Sequence, residues 1–201
     1  EPSPITPGQL RFARRFYLRL LLGAYLGLPG KEVAINRQNR GKPELDASVH
    51  GDLLHFSMAK SGDRLLLGFS SAQHLGVDLE PLHRRAHNAL GVADRYCSAV
   101  EAEALARVAP GERDAAFLRA WACKEAVVKA SGLGIANQLC RFTIETDLAA
   151  PPTVLDFDGD AAPGWSLALL HPEADFLGAL ALPGRIDSLV ARTLAPMEQA
   201  P

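Results

Sequence analysis

Gly76-Val77-Asp78-Leu79-Glu80 and Trp121-Ala122-Cys123-Lys124-Glu125-Ala126-Val127-Val128-Lys129-Ala130 are the two stretches on which the reading of this chain turns. The first reads as a strand stopped by Pro81. Alternation along a strand sends Val77 and Leu79 to one face, Asp78 and Glu80 to the other. The β-carbons of the two acids then stand about 7 Å apart on one face. Two carboxylates so placed repel each other unless solvent or a cation lies between them. A half-buried strand with a wet acidic face accounts for the same five residues, and this stretch alone leaves both readings open.

The second stretch reads as a helix. At roughly 100° per residue, Phe117, Leu118, Trp121, Glu125 and Val128 share one arc, with Glu125 inside it and Lys129 at its edge. Ala122 and Ala126 lie opposite, so the helix is expected to be covered nearly all round. Glu125 and Lys129 also fit a plain i,i+4 surface pair in the favourable order. The apolar arc argues against that, because buried charge is costly unless it is paired or bound to metal. Three carboxylates and a lysine are what a site needs to hold Mg²⁺ against a diphosphate.

Outward from these stretches, apolar spacing predicts a helix over 9–27, ended by Leu28-Pro29-Gly30. Strands are expected at 33–36, 53–58, 65–69 and 75–80, with a turn or loop at 40–43 and a hairpin turn at Lys60-Ser61-Gly62-Asp63. Helices are expected at 84–94, 98–108 and 112–131, the last ended by Gly132 and Gly134. Strands return at 141–146, 153–157, 165–170 and 176–182, and the tail beyond Pro183 reads as a loose helix or a frayed end. Helix-then-strands thus occurs twice. The expected fold class is α+β, a pseudo-dimer of two similar halves (1–85 and 86–201) with the site at their seam.

The 201 residues, 48% of them hydrophobic, can build a real core. A net charge of −2 argues against a nucleic-acid binder, although Arg11, Arg14, Arg15 and Arg19 suggest a local anion site. Three cysteines without a C-x-x-C support neither a disulfide framework nor a zinc site, and favour a reducing, cytoplasmic setting. The apolar run from Leu18 to Leu28 is too short to span a bilayer and contains Arg19, and no secretory signal is evident. His50, His55, His74, His83, His87 and His171 have no ligand-like spacing and read as structural or surface residues. Trp165 and Phe176 read as core. Glu101 and Glu103 open a helix, where negative charge is favourable.

Over roughly residues 11–182 the chain resembles the Sfp-type 4′-phosphopantetheinyl transferases. Their G-K-P-x-L appears as Gly41-Lys42-Pro43-Glu44-Leu45, and their G-(V/I)-D-x-E as Gly76 to Glu80. Their W-x-x-K-E-A-x-x-K-x-x-G-x-G appears as Trp121 through Lys129 with Gly132 and Gly134. Arg95-Tyr96-Cys97-Ser98 followed by Glu101 is similar to the family's aromatic-Ser-x-x-Glu segment, and Arg15, Arg19 and Tyr25-Leu26-Gly27 to its basic first helix. One motif departs. Where the family has F-N-x-S-H-S, this chain has Phe56-Ser57-Met58-Ala59-Lys60-Ser61, so Lys60 replaces the histidine that touches the 3′-phosphate of coenzyme A, and Ala59 lacks the serine hydroxyl.

The resemblance implies a monomeric enzyme that moves 4′-phosphopantetheine from coenzyme A to a serine of an apo acyl or peptidyl carrier protein and releases adenosine 3′,5′-bisphosphate. It implies Mg²⁺ on Asp78, Glu80 and Glu125, with Glu125 and Lys129 catalytic. It places Arg15, Arg19, Lys42, Pro43, Ala59, Lys60 and Lys129 around coenzyme A, with Lys60 able to serve a phosphate as a point charge. For the four outlying cations, ordinary surface roles compete with this one. Two other functions fit the same residues: a Mg²⁺-dependent phosphoryl hydrolase, and a non-catalytic binder of coenzyme A or carrier protein.

Overall fold

The computed structural model describes residues 6–37, 42–84, 88–132, 139–161 and 164–194. Helix α1 (Pro7–Leu26) begins with a capping box between Thr6 and Gln9 and ends at Gly27, whose φ of 70° is left-handed. Its buried Leu18 and Leu22 pack on Val33, Leu54 and Phe56. Strand β1 (Ile35–Arg37) pairs with β2 (Pro43–Leu45), and a single turn, α2 (Ala47–His50), leads to the hairpin β3 (His55–Ser61) and β4 (Arg64–Ser70). Strand β5 (Gly76–Pro81) closes the first helix-then-strands run. The second comprises α3 (Ala89–Tyr96), α4 (Ala99–Arg107), α5 (Arg113–Ser131), β6 (Phe142–Ile144), β7 (Val154–Phe157), β8 (Asp160–Ala161), β9 (Trp165–Leu170) and β10 (Phe176–Pro183).

The fold is α+β, with helices and strands in the expected order. Strand β10 lies between β5 and β9, antiparallel to both, so the last strand returns beside the acidic one. Helix α5 crosses β5 and β10. It buries Ala122, Cys123, Ala126, Val127, Val128 and Ala130 against Phe142, Ile144, Val154, Ala179 and Ala181. Helix and strand backbones approach closely at Gly76, where an added β-carbon would run into the Ala126 carbonyl and the Ala130 amide. That close approach explains a glycine at the head of the acidic strand.

Several expected boundaries move. Lys60 lies within β3, paired with Leu65, and not in the hairpin turn, because Ser61 still pairs with Arg64 and only Gly62 and Asp63 make the turn. Pro43 opens β2 and does not sit in a turn or loop, β3 starts at His55, and α3 starts five residues later than expected, where Asn88 supplies its N-cap. The single turn α2, capped by Asp46, and the two-residue β8 were too short to show as periodicity. Gly132, with φ of 68°, ends α5 as expected. Arg40, Gly41, His87, Gly134, the 85/86 division and the last residues of the tail lie outside the described residues. Residues 184–194 form no helix. Phe176 is buried and Trp165 packs against the core. No helix among the described residues is long and apolar enough to cross a membrane.

Candidate active site

Strand β5 is buried on both faces. Val77 and Leu79 enter a cluster with Ala59, Leu75 and Leu180, while Asp78 and Glu80 point the other way, toward α5. There they meet Glu125, one turn before Lys129 on the helix. Asp78, Glu80 and Glu125 line one open cleft of about 480 Å³. Lys60, Ser61 and Gly62 from the β3–β4 hairpin also line it, as do Arg84 and Trp121. The cleft therefore draws residues from both helix-then-strands runs.

Each acid on β5 has a cation. Lys129 Nζ donates to Asp78 Oδ1 at 2.6 Å. Arg84 Nη1 donates to both carboxylate oxygens of Glu80, at 2.6 and 2.7 Å. Asp78 Oδ2 is buried with no hydrogen-bond partner. Burial pushes the Glu80 carboxyl above its ordinary range, opposed by Arg84. Burial also pushes Glu125 up, reinforced by the charge of Asp78 and opposed by Lys129. Among the described residues no three His, Cys, Asp or Glu side chains stand in a metal-holding arrangement, and Lys129 and Arg84 engage two of the three carboxylates. The donor set still fits a hard divalent cation: three oxygen acids share one cleft, one oxygen is orphaned, and their mutual repulsion calls for positive charge.

The outlying cations are spread differently. Lys60 is exposed at the cleft. Lys42 reaches the far end of α5, where its Nζ donates to the Lys129 carbonyl at 2.7 Å, and burial lowers its pKa. Arg19 holds the carbonyls of Gly30 and Val33 at 3.0 and 2.8 Å, so it ties the end of α1 to the loop after it. Arg15 is exposed, Pro43 is half-buried in β2, Ala59 is core, and none of these three lines the cleft. Arg14, treated in the sequence only as part of a basic cluster, donates to the Gly62 carbonyl and braces the hairpin tip.

Two features went unrecognised in the sequence. Arg84 stands four residues after Glu80, but the intervening Pro81 hides the pairing from any helical rule. Beneath the site, Lys124 is wholly buried and donates to both oxygens of Glu101 and to the Phe142 carbonyl. Glu101 also accepts from the Ser98 and Ile144 amides, so its helix-end role is real and is one of three. The Ser98-x-x-Glu101 capping pattern was the signal available for it.

A family model described as the 4′-phosphopantetheinyl transferase superfamily matches residues 74–181. The 4′-phosphopantetheinyl transferase HetI of Nostoc sp. is 33% identical over 172 residues, which is 86% of this chain and 70% of that protein. The 4′-phosphopantetheinyl transferase psf-1 of Bacillus pumilus is 28% identical over 126 residues, 63% of this chain and 51% of that protein. Among solved structures, a holo-(acyl-carrier-protein) synthase from Bacillus anthracis in complex with CoA (3′,5′-ADP) aligns with 56% of this chain and 96% of its own. Its identity is 20% and its TM-score 0.43, a likeness too low to bear on function.

Proposed function

The chain belongs to the 4′-phosphopantetheinyl transferase superfamily, and on that premise we propose that it moves 4′-phosphopantetheine from coenzyme A to a serine of an apo acyl or peptidyl carrier protein. The observation that carries the proposal is the convergence of Asp78, Glu80, Glu125, Lys60 and Arg84 on one cleft, with Lys129 bonded to Asp78.

The carrier serine oxygen attacks the phosphorus that bears pantetheine. A serine–phosphate bond forms, the bond to the bridging diphosphate oxygen breaks, and adenosine 3′,5′-bisphosphate leaves. Asp78, Glu80 and Glu125 would hold Mg²⁺, which when bound neutralises charge on the diphosphate oxygens. Glu125 takes the serine proton, directly or through a water it holds; its burial beside Asp78 raises its proton affinity toward that task. Lys129 steadies the attacked phosphate or the leaving oxygen. Lys60 meets the 3′-phosphate, and Lys42, Pro43, Ala59, Arg15 and Arg19 belong to the wider coenzyme A surround. Lys42 and Arg19 act there through the backbone they hold. No nucleophile on the enzyme is needed, because phosphoryl chemistry of this kind is mostly positioning and electrostatics.

We read residues 1–85 and 86–201 as two halves meeting at this cleft, working as a monomer in the cytoplasm without nucleic acid or membrane. The odd cysteine count without a C-x-x-C is what supports the reducing compartment. Release of adenosine 3′,5′-bisphosphate tests the reaction class. A transferase releases it only when an apo carrier is present. Release with water alone would assign a hydrolase, and no release with any carrier would leave a binder.

A further inference from the structure

We propose that Arg84 is an exchangeable internal cation: it holds Glu80 while the cleft lacks a divalent ion, and turns to the diphosphate of coenzyme A when one is bound. The inference rests on reading the cleft as the Mg²⁺ and coenzyme A site.

The pairing is lopsided. Glu80's side chain is 10% exposed, whereas Arg84's is 53% exposed, so the arginine reaches the acid from the solvent side. It can leave without opening the core. It follows β5 beyond Pro81, in a turn held by its own amide on the Pro81 carbonyl, so its reorientation leaves the sheet register untouched. Only Nη1 engages Glu80. Arg84 lines the cleft, and among the described residues its Nε and Nη2 make no hydrogen bond, so donors of its planar fork are unspent. The Lys124–Glu101 pair shows the contrast: both side chains are 0% exposed and three acceptors surround the lysine, a fixed strut with no way out.

Charge accounting gives the exchange its direction. Lys129 and Arg84 compensate two of the three carboxylates in the cleft. A divalent cation brings more positive charge than the remaining carboxylate needs, which makes the guanidinium surplus at Glu80. A diphosphate arriving with the cation supplies the partner that Arg84 then lacks, and a guanidinium suits phosphate oxygens through paired donors. Arg84 therefore opposes binding of the cation alone and favours binding of cation and substrate together.

Calorimetric titration of the chain with Mg²⁺ alone, and then with coenzyme A at saturating Mg²⁺, tests this. Arg84→Gln should tighten Mg²⁺ by about two- to tenfold, the scale of a part-exposed ion pair. The same variant should weaken coenzyme A by about tenfold, the scale of one charge-assisted contact. Arg84→Lys keeps the charge and loses the fork, so its Mg²⁺ affinity should stay near wild type and its coenzyme A affinity should fall between the other two. Opposite shifts in Arg84→Gln support the exchange. Parallel weakening with a lowered melting temperature would mark a brace for the fold, and no change in either titration an idle surface pair; each overturns the proposal alone. A wild-type chain that binds neither Mg²⁺ nor coenzyme A overturns it together with the proposed function.

Discussion

Lys124 Nζ stands 2.7 and 2.6 Å from the two carboxylate oxygens of Glu101, with both side chains wholly buried and the ammonium 4.3 Å from the centroid of the Phe142 ring. The pair joins α4, α5 and β6 directly below the residue that follows Lys124, the cleft acid Glu125. Burying two charges is repaid only when every donor and acceptor is used, and here they are. Lys124→Met leaves Glu101 charged, buried and without its cation, and should lower stability to urea by about 3–5 kcal/mol. Adding Glu101→Gln should recover part of that loss. Equal denaturation midpoints for wild type and Lys124→Met would contradict the strut.

Glu125, the proposed proton acceptor, loads the fold. Its pKa in the folded chain lies above its ordinary 4.5, so the native state binds its proton more tightly than the unfolded state does. Stability from this group is present at low pH and is lost as pH rises from about 4.5 through the raised folded value. Glu125→Gln removes that loss. At neutral pH without divalent ions the variant should melt higher than wild type, and added Mg²⁺ should stabilise it less. A variant that melts lower and responds to Mg²⁺ like wild type would show that Glu125 neither strains the fold nor holds the ion.

Gly76 is fixed by contact. Since a β-carbon there meets the α5 backbone at Ala126 and Ala130, the helix must lift off β5 to admit it. Gly76→Ala should cost at least about 1–3 kcal/mol in denaturant unfolding, the scale of core overpacking. It should also reduce Mg²⁺ affinity, because Asp78 and Glu125 separate with the two elements. Wild-type values in both measurements would show that the crossing is looser than it looks.

Lys60 tests the departure from the family's histidine. As a charged contact to the 3′-phosphate it is worth roughly 1.5–3 kcal/mol. Lys60→Ala should then raise KM for coenzyme A by about 10- to 150-fold, with little effect on 3′-dephospho-coenzyme A. Its exposed place on β3 at the cleft keeps it available. Small and equal effects on both substrates would return it to the role of a surface residue.

The sequence made the acidic strand and the charged helix legible because each obeys a short-range rule. Alternation put Asp78 and Glu80 on one face, and helical spacing put Glu125 in an apolar arc; both are observed. The near-complete burial of α5 was legible for the same reason. Partnerships across distance were not. Nothing local says that Lys124 seeks Glu101 or that Lys42 reaches the Lys129 carbonyl, because those pairs exist only after α5 has crossed the sheet. Lys60 was misplaced for a different reason: Lys-Ser-Gly-Asp has turn composition throughout, and only strand register shows that the turn begins at Gly62.

Intact-mass spectrometry of apo carrier proteins incubated with the chain, coenzyme A and Mg²⁺ tests the central claim most directly. The account predicts a gain of one phosphopantetheine on the carrier, lost on replacing its acceptor serine, and nearly abolished with Asp78→Asn or Glu125→Gln enzyme that remains folded. An unmodified carrier across acyl and peptidyl classes, or near-normal modification by either variant at saturating Mg²⁺, would contradict it.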